Sequence, residues 1–261
     1  MPDDLRWPAA RLTPLEGPVG GAAASRFGGL PEVPPGFDWP RHNGRPLDHL
    51  LQIDLGELGG VRTNLGLPAH GRLLFFYDVE RQPWGIFPHD AGSAQVVHLE
   101  DAAGLTPLPP SQGRPALPSA RALFEPVVTV PDDLSGSPWL EGVHLTEEER
   151  AEASEARKRD ELAGYSGQIG GHPHCIQSAM EVGCELASSG FGAGSSEDFA
   201  STAGVNAKRE ARAWRLLLQL PSRSALGAEW GSGLGVIYFW IKRDALARRD
   251  FSRVWLMLQT T

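Results

Sequence analysis

Cysteine and lysine are scarce in this chain. Its 261 residues include only Cys175 and Cys184, nine positions apart, too few for a disulfide-stapled secreted fold, so reduced thiols are expected. Only Lys158, Lys208 and Lys242 accompany the arginines, an excess read as the base composition of the gene and not as a function. No apolar run approaches the length that crosses a bilayer. The opening Met1-Pro2-Asp3-Asp4 has acids where a signal peptide needs bases, so cytoplasmic residence is expected. No Gly-x-Ser-x-Gly elbow flanks a serine, and Cys175 has no partner arrangement beyond adjacent His174. The chain therefore reads as a non-enzymatic protein with no cofactor.

Glycine and proline, by contrast, are abundant, at 31 and 22, and the net charge is −8. Residues 205–261 are basic and the rest is strongly acidic, which favours attraction within the chain over nucleic-acid binding.

The chain repeats itself. Gly28-Gly29-Leu30-Pro31, Leu50-Leu51-Gln52 and Gly71-Arg72-Leu73-Leu74-Phe75-Phe76-Tyr77 return in the same order as Gly170-Gly171-His172-Pro173, Leu217-Leu218-Gln219 and Gly235-Val236-Ile237-Tyr238-Phe239-Trp240. The offsets are 142, 167 and 164, so an insertion separates the first two blocks of the second copy. Apolar runs predict strands over 50–55, 72–78, 94–99, 122–130, 214–220, 236–241 and 254–259. The capping box Thr146-Glu147-Glu148-Glu149 predicts a helix to about residue 163, with too little apolar surface for anything but a solvated connector. Further helices are expected over 174–187 and 196–213, and a helical turn over 244–248. The fold class expected is α+β: largely antiparallel sheets from two duplicated β-rich halves, with a few helices mostly in the second half. Residues 1–25 would be an extended arm, 26–145 the first half, 146–169 the connector and 170–261 the second half, all in one compact domain.

Gln52 and Gln219 occupy equivalent places inside apolar strands, where a buried amide must find partners. Each either ties its strand to a neighbouring loop such as the Gly-Gly-x-Pro turn, which is favoured, or lines the seam between the halves. Asp54 ends its strand as a turn-former or as half of a site, and Trp230 joins these three as a candidate ligand-binding residue. His172, His174 and Cys175 could bind zinc, but their spacing matches no closed zinc module, and core packing is the reading preferred. The glycine-rich stretch from Gly190 to Ser196 looks like a phosphate cradle yet lacks the Gly-Lys-Ser/Thr ending, so an interhelical loop is expected.

These blocks, with Trp39-Pro40, Leu67-Pro68, Trp230-Gly231 and Asp250-Phe251, resemble the YwqG-like family, a bacterial domain of unknown function. The resemblance runs from about Arg26 to the C-terminus. It implies an antiparallel sheet core built from two related halves and no established catalysis. An Asp commonly follows the family's Trp-Gly pair, whereas Ser232 stands there in this chain. The function expected is binding of another protein, and the resemblance allows an immunity or antitoxin-like role. The alternative is small-molecule or metal binding, or an enzyme, with its site at the seam.

Overall fold

The strand Val236–Lys242 shows why the sheet forms. Its β-branched and aromatic side chains suit a pleated backbone, and both faces are buried: Ile237, Phe239 and Ile241 point into one core, Val236, Tyr238 and Trp240 into another. This is a computed structural model, and it describes residues 1–15, 25–110, 115–132, 134–162, 167–222 and 225–261. Residues 16–24 of the expected arm, 111–114 of the proline-rich loop and 163–166 of the expected connector lie outside the described residues.

Ten strands form the main sheet: β1 (Trp7–Leu15), β2 (Arg26–Phe27), β3 (Asp48–Asp54), β4 (Arg72–Tyr77), β5 (Ala94–Leu99), β6 (Ala120–Thr129), β7 (Gly167–Gly170), β8 (Trp214–Pro221), β9 (Val236–Lys242) and β10 (Trp255–Gln259). Their order is β10-β9-β8-β7-β1-β6-β2-β3-β4-β5, and every pairing is antiparallel. Six α-helices lie among the described residues: α1 (Leu55–Leu58), α2 (Glu147–Leu162), α3 (Glu181–Ser188), α4 (Ser196–Ala200), α5 (Thr202–Glu210) and α6 (Arg243–Ala247). The fold is thus mixed α and β, with a sheet that nearly closes on itself. The backbone of β10 meets the loop after β4, where Leu258 N donates to Trp84 O at 3.0 Å and the Trp255 indole to Gly85 O at 2.8 Å. At the other edge His98 on β5 packs on Phe251, ring centroids 5.4 Å apart.

Read outward from the central β1–β6 pair, the two flanks match. β3 has a register step between His49 and Leu51, and β8 has one between Leu216 and Leu218. One core cluster runs through both flanks, with Phe75 and Phe239 edge-to-face at 5.3 Å and Tyr77 against Trp230 at 5.8 Å. The outer faces are covered separately. Leu74 and Phe76 pack with Val33 and Leu47, whereas Tyr238 and Trp240 pack under α3 and α5 with Met180, Cys184 and Leu186.

Residues 7–15 of the expected extended arm form β1, a central strand paired with β6 along one edge and β7 along the other, with Ala9 and Ala10 fully buried. Two expectations need correction. The helix expected over 174–187 begins only at Glu181, because side chains take the backbone groups that a helix would use. Gln219 accepts from His174 N, Gln259 accepts from Ile176 N and Gln177 N, and the Tyr238 hydroxyl donates to His174 O. The helix expected over 196–213 is broken at Ser201, whose hydroxyl caps α5 by accepting from Gly204 N at 3.1 Å. By contrast α2 starts on the expected capping box, Thr146 Oγ1 accepting from Glu149 N at 3.2 Å and Glu149 Oε2 from Thr146 N at 2.8 Å.

Candidate functional site

The two glutamines sit in the same bonding pattern. Gln52 Oε1 accepts from Glu32 N at 2.9 Å and Gln219 Oε1 from His174 N at 3.1 Å, and each acceptor reaches the fourth residue after the first glycine of its Gly-Gly turn. Their neighbours follow suit: on β2 the Arg26 guanidinium donates to Leu30 O, and on β7 Gln168 Nε2 donates to His172 O at 2.9 Å. The turn glycines have φ of +52° and +66° at Gly28 and Gly29 and +70° and +74° at Gly170 and Gly171, the left-handed region that glycine enters without strain. Both glutamines are fully buried. Each ties a strand to the backbone of a loop.

Asp54 caps α1, its Oδ1 accepting from Gly56 N at 2.9 Å and Glu57 N at 3.2 Å. Its other oxygen lies 3.5 Å from Arg72 Nε. Trp230 is buried, with its indole N–H donated to Leu220 O at 3.1 Å. Neither these residues nor the two glutamines line the cavity beside α2 or the groove beside α6.

His172 is also internal. Its Nε2–H donates to Leu5 O at 3.0 Å, its ring stacks on Trp7 at 3.9 Å, and burial drives its pKa down to about 3, so it is neutral. The Arg215 guanidinium lies 5.1 Å from the Trp7 ring and 4.7 Å from Trp139. Close to this stack Glu181 is buried with one carboxylate oxygen unpartnered, and burial pushes its pKa up to about 7. Burial also pushes the Cys175 and Cys184 thiols up, with the Glu181 charge adding to it, so neither is an activated nucleophile. No cluster of three His, Cys, Asp or Glu side chains among the described residues could hold a metal.

His174 and Cys175 do reach a cavity. It opens where β1, β6, α2 and the 170–175 turn meet, on the strands that join the two flanks. Val127, Val128, Val130, Ala153 and Ala156 form apolar walls, while Arg11, Arg157, Arg159, Gln168 and Asp132 supply the polar groups. The cavity measures 40 Å³, room for about three waters. Arg157 Nε is buried without a hydrogen-bond partner, and no ion pair to Arg11, Arg157 or Arg159 is recorded among the described residues. A helix that read as a plain connector thus turns a lined face to the sheet. At the corresponding place in the other flank, Glu32 pairs with Arg26 at 3.5 Å and with Arg72, which neutralises that site.

Two other features carry less. A wider groove of 600 Å³ between Gly92, Trp214, Lys242 and α6 is bordered by groups that already pair: Lys242 with Glu185 at 2.7 Å and Arg248 with Asp244 at 3.1 Å. The glycine-rich loop before α4 is filled by its own helix, since Asp198 accepts from Gly194 N at 3.0 Å and Ser195 N at 2.9 Å. An external phosphate would have to displace that carboxylate.

No curated protein matches the chain. A family described as a domain of unknown function (DUF1963) matches it over residues 25–260, so β2 to β10, both glutamine ties and the cavity lining apart from Arg11 fall within the matched region. The chain belongs to that family.

Proposed function

We propose that this is a non-enzymatic binding protein whose small-molecule site is the cavity between β1, β6, α2 and the 170–175 turn. The single observation that carries the reading is the convergence of three guanidiniums, without a recorded ion pair among the described residues, on an apolar-walled recess. A purely structural joint would not leave the Arg157 Nε buried without a partner. Two flanks with the same strand order, register step and glutamine tie support descent from one duplicated unit. On that view one copy kept its residue 32 in ion pairs, while the other placed His174 in the cavity. The Gly-Gly-x-Pro and Trp-Gly blocks support placing the chain among YwqG-like bacterial members of the family, and two unpaired cysteines suit a reducing cytoplasm.

The test is a thermal-shift screen of metabolites on the protein and on Ala156→Phe, which fills the cavity from α2. Compounds that stabilise the first and not the second support the site; a screen with no stabiliser, or equal shifts in both, overturns it. A protein partner is the second reading, favoured by Trp84, Phe87 and Phe191, which are 40%, 43% and 52% exposed. Two of them flank loops joined by the Ala193 N to Ile86 O bond at 2.9 Å. Copurification under mild salt with the Phe87→Ser, Phe191→Ser double variant as control would test it: no partner lost from the variant rejects this reading.

A further inference from the structure

Resting on the cavity reading above, we propose that the occupant is an anion: a compact carboxylate or phosphate-monoester headgroup carried on an apolar body. Arg11 comes from β1 and Arg157 and Arg159 from α2, so two separate elements bring three fixed positive charges to one recess. Among the described residues Asp132 is the one carboxylate that lines it with them, and its Oδ1 already accepts from Leu134 N at 3.0 Å. Three cations against that one carboxylate make the described lining favour an anion over a cation. A neutral ligand without an acceptor would leave the buried Arg157 Nε as unsatisfied as it is now. Guanidinium forks match the paired oxygens of carboxylates and phosphates, which is the chemistry these three residues can satisfy together.

His174 adds a donor whose proton is fixed by a neighbour. Gln219 Oε1 accepts from His174 N, so its Nε2 is the amide donor, and that nitrogen stands 3.3 Å from His174 Nδ1. Nδ1 therefore accepts, which places a ring proton on Nε2 and fixes the orientation of the ring at the cavity wall. Gln219 is a positioning residue for that ring. Size sets the rest: 40 Å³ admits about three heavy atoms of a headgroup, and the remainder of the ligand must lie along Val127, Val128 and Val130 toward solvent.

Calorimetric titration with hexanoate, hexyl phosphate, inorganic phosphate and hexanol tests this on the whole protein. Hexanoate or hexyl phosphate should bind at least about tenfold more tightly than hexanol, and Arg157→Gln should cost about tenfold, the scale of one charge-assisted hydrogen bond. Arg159→Gln, at an exposed position that cannot unfold the chain, should weaken the same ligand in the same direction and flatten its dependence on added salt. Preference for one of the two anions identifies the headgroup, and weak binding of inorganic phosphate confirms the need for the apolar body. Hexanol binding as tightly as both anions, and blocked by Ala156→Phe, would overturn the anion while leaving the cavity reading intact. Anion binding that Ala156→Phe leaves unchanged would overturn the location, and no binding by any of the four compounds would overturn both.

Discussion

Glu181 gives the sharpest stability test. In the unfolded chain its carboxyl titrates near 4.5, and in the fold burial raises that to about 7. The native state therefore holds a proton between these two values that the unfolded state has lost. Stability contributed by this group falls as pH rises from about 4.5 to about 7 and stays flat above that. The gap, at roughly 1.4 kcal/mol per pH unit, corresponds to about 3 kcal/mol. Glu181→Gln keeps an acceptor for the Trp139 indole but does not ionise. Its amide N–H₂ replaces the unpartnered oxygen, and that adds a cost of about 1–3 kcal/mol which is the same at every pH. The quantity to measure is therefore the difference in urea-unfolding free energy between variant and parent, followed from pH 4.5 to 8. It should move in the variant's favour by about 3 kcal/mol across that range, the constant cost cancelling. Buried histidines titrate alike in both proteins and drop out. Two parallel curves would refute the reasoning, because a carboxyl that ionises normally in the fold cannot be desolvated as its surroundings require.

Three further outcomes are expected. His49, whose Nδ1–H donates to Gly29 O at 3.2 Å and whose pKa burial lowers to about 4, stays neutral in the fold while the unfolded chain protonates near 6.5. Stability from this group is present above 6.5 and lost as pH falls toward 4, and His49→Gln should shallow the acid limb of the melting-temperature profile. Gly85→Ala should cost more than about 3 kcal/mol in urea unfolding, since φ is +76° and an added Cβ would sit 1.7 Å from Leu256 O, prising the 84–85 loop from β10. Gln52→Leu and Gln219→Leu should each cost about 1–3 kcal/mol by leaving a loop amide unpaired, and costs differing by more than that range would speak against equivalent roles.

β3, β4, β8, β9 and β10 were legible because they are buried on both faces, which writes each one as an apolar run; β4 and β9 are the clearest. The glutamine ties were legible for a similar reason, since an amide inside such a run has few ways to be satisfied. The central strand β1 was not. Pro8 and Pro14 read as loop residues, and only the pairing with β6 and β7, from sequence more than 100 positions away, makes the segment a strand. The 174–180 segment misled in the opposite way. Its pattern is helical, but Gln219, Gln259 and Tyr238 claim its backbone groups, and no local signal announces a distant side chain.

The cavity was hidden by the same division between local pattern and long-range contact. Arg11 looked like one member of a large arginine excess, and α2 looked like a solvated connector because most of its surface is charged. Only folding places Ala153 and Ala156 against β6 and brings Arg157 to the side of β1 that carries Arg11. His174 was singled out as a metal candidate on residue type, yet its immediate partner is the buried Gln219 and its cavity neighbours are cations. The two glutamine ties nevertheless differ at one place: the residue held by each buried glutamine is Glu32, locked between two arginines, on one flank, and His174, which lines the cavity with three arginines, on the other.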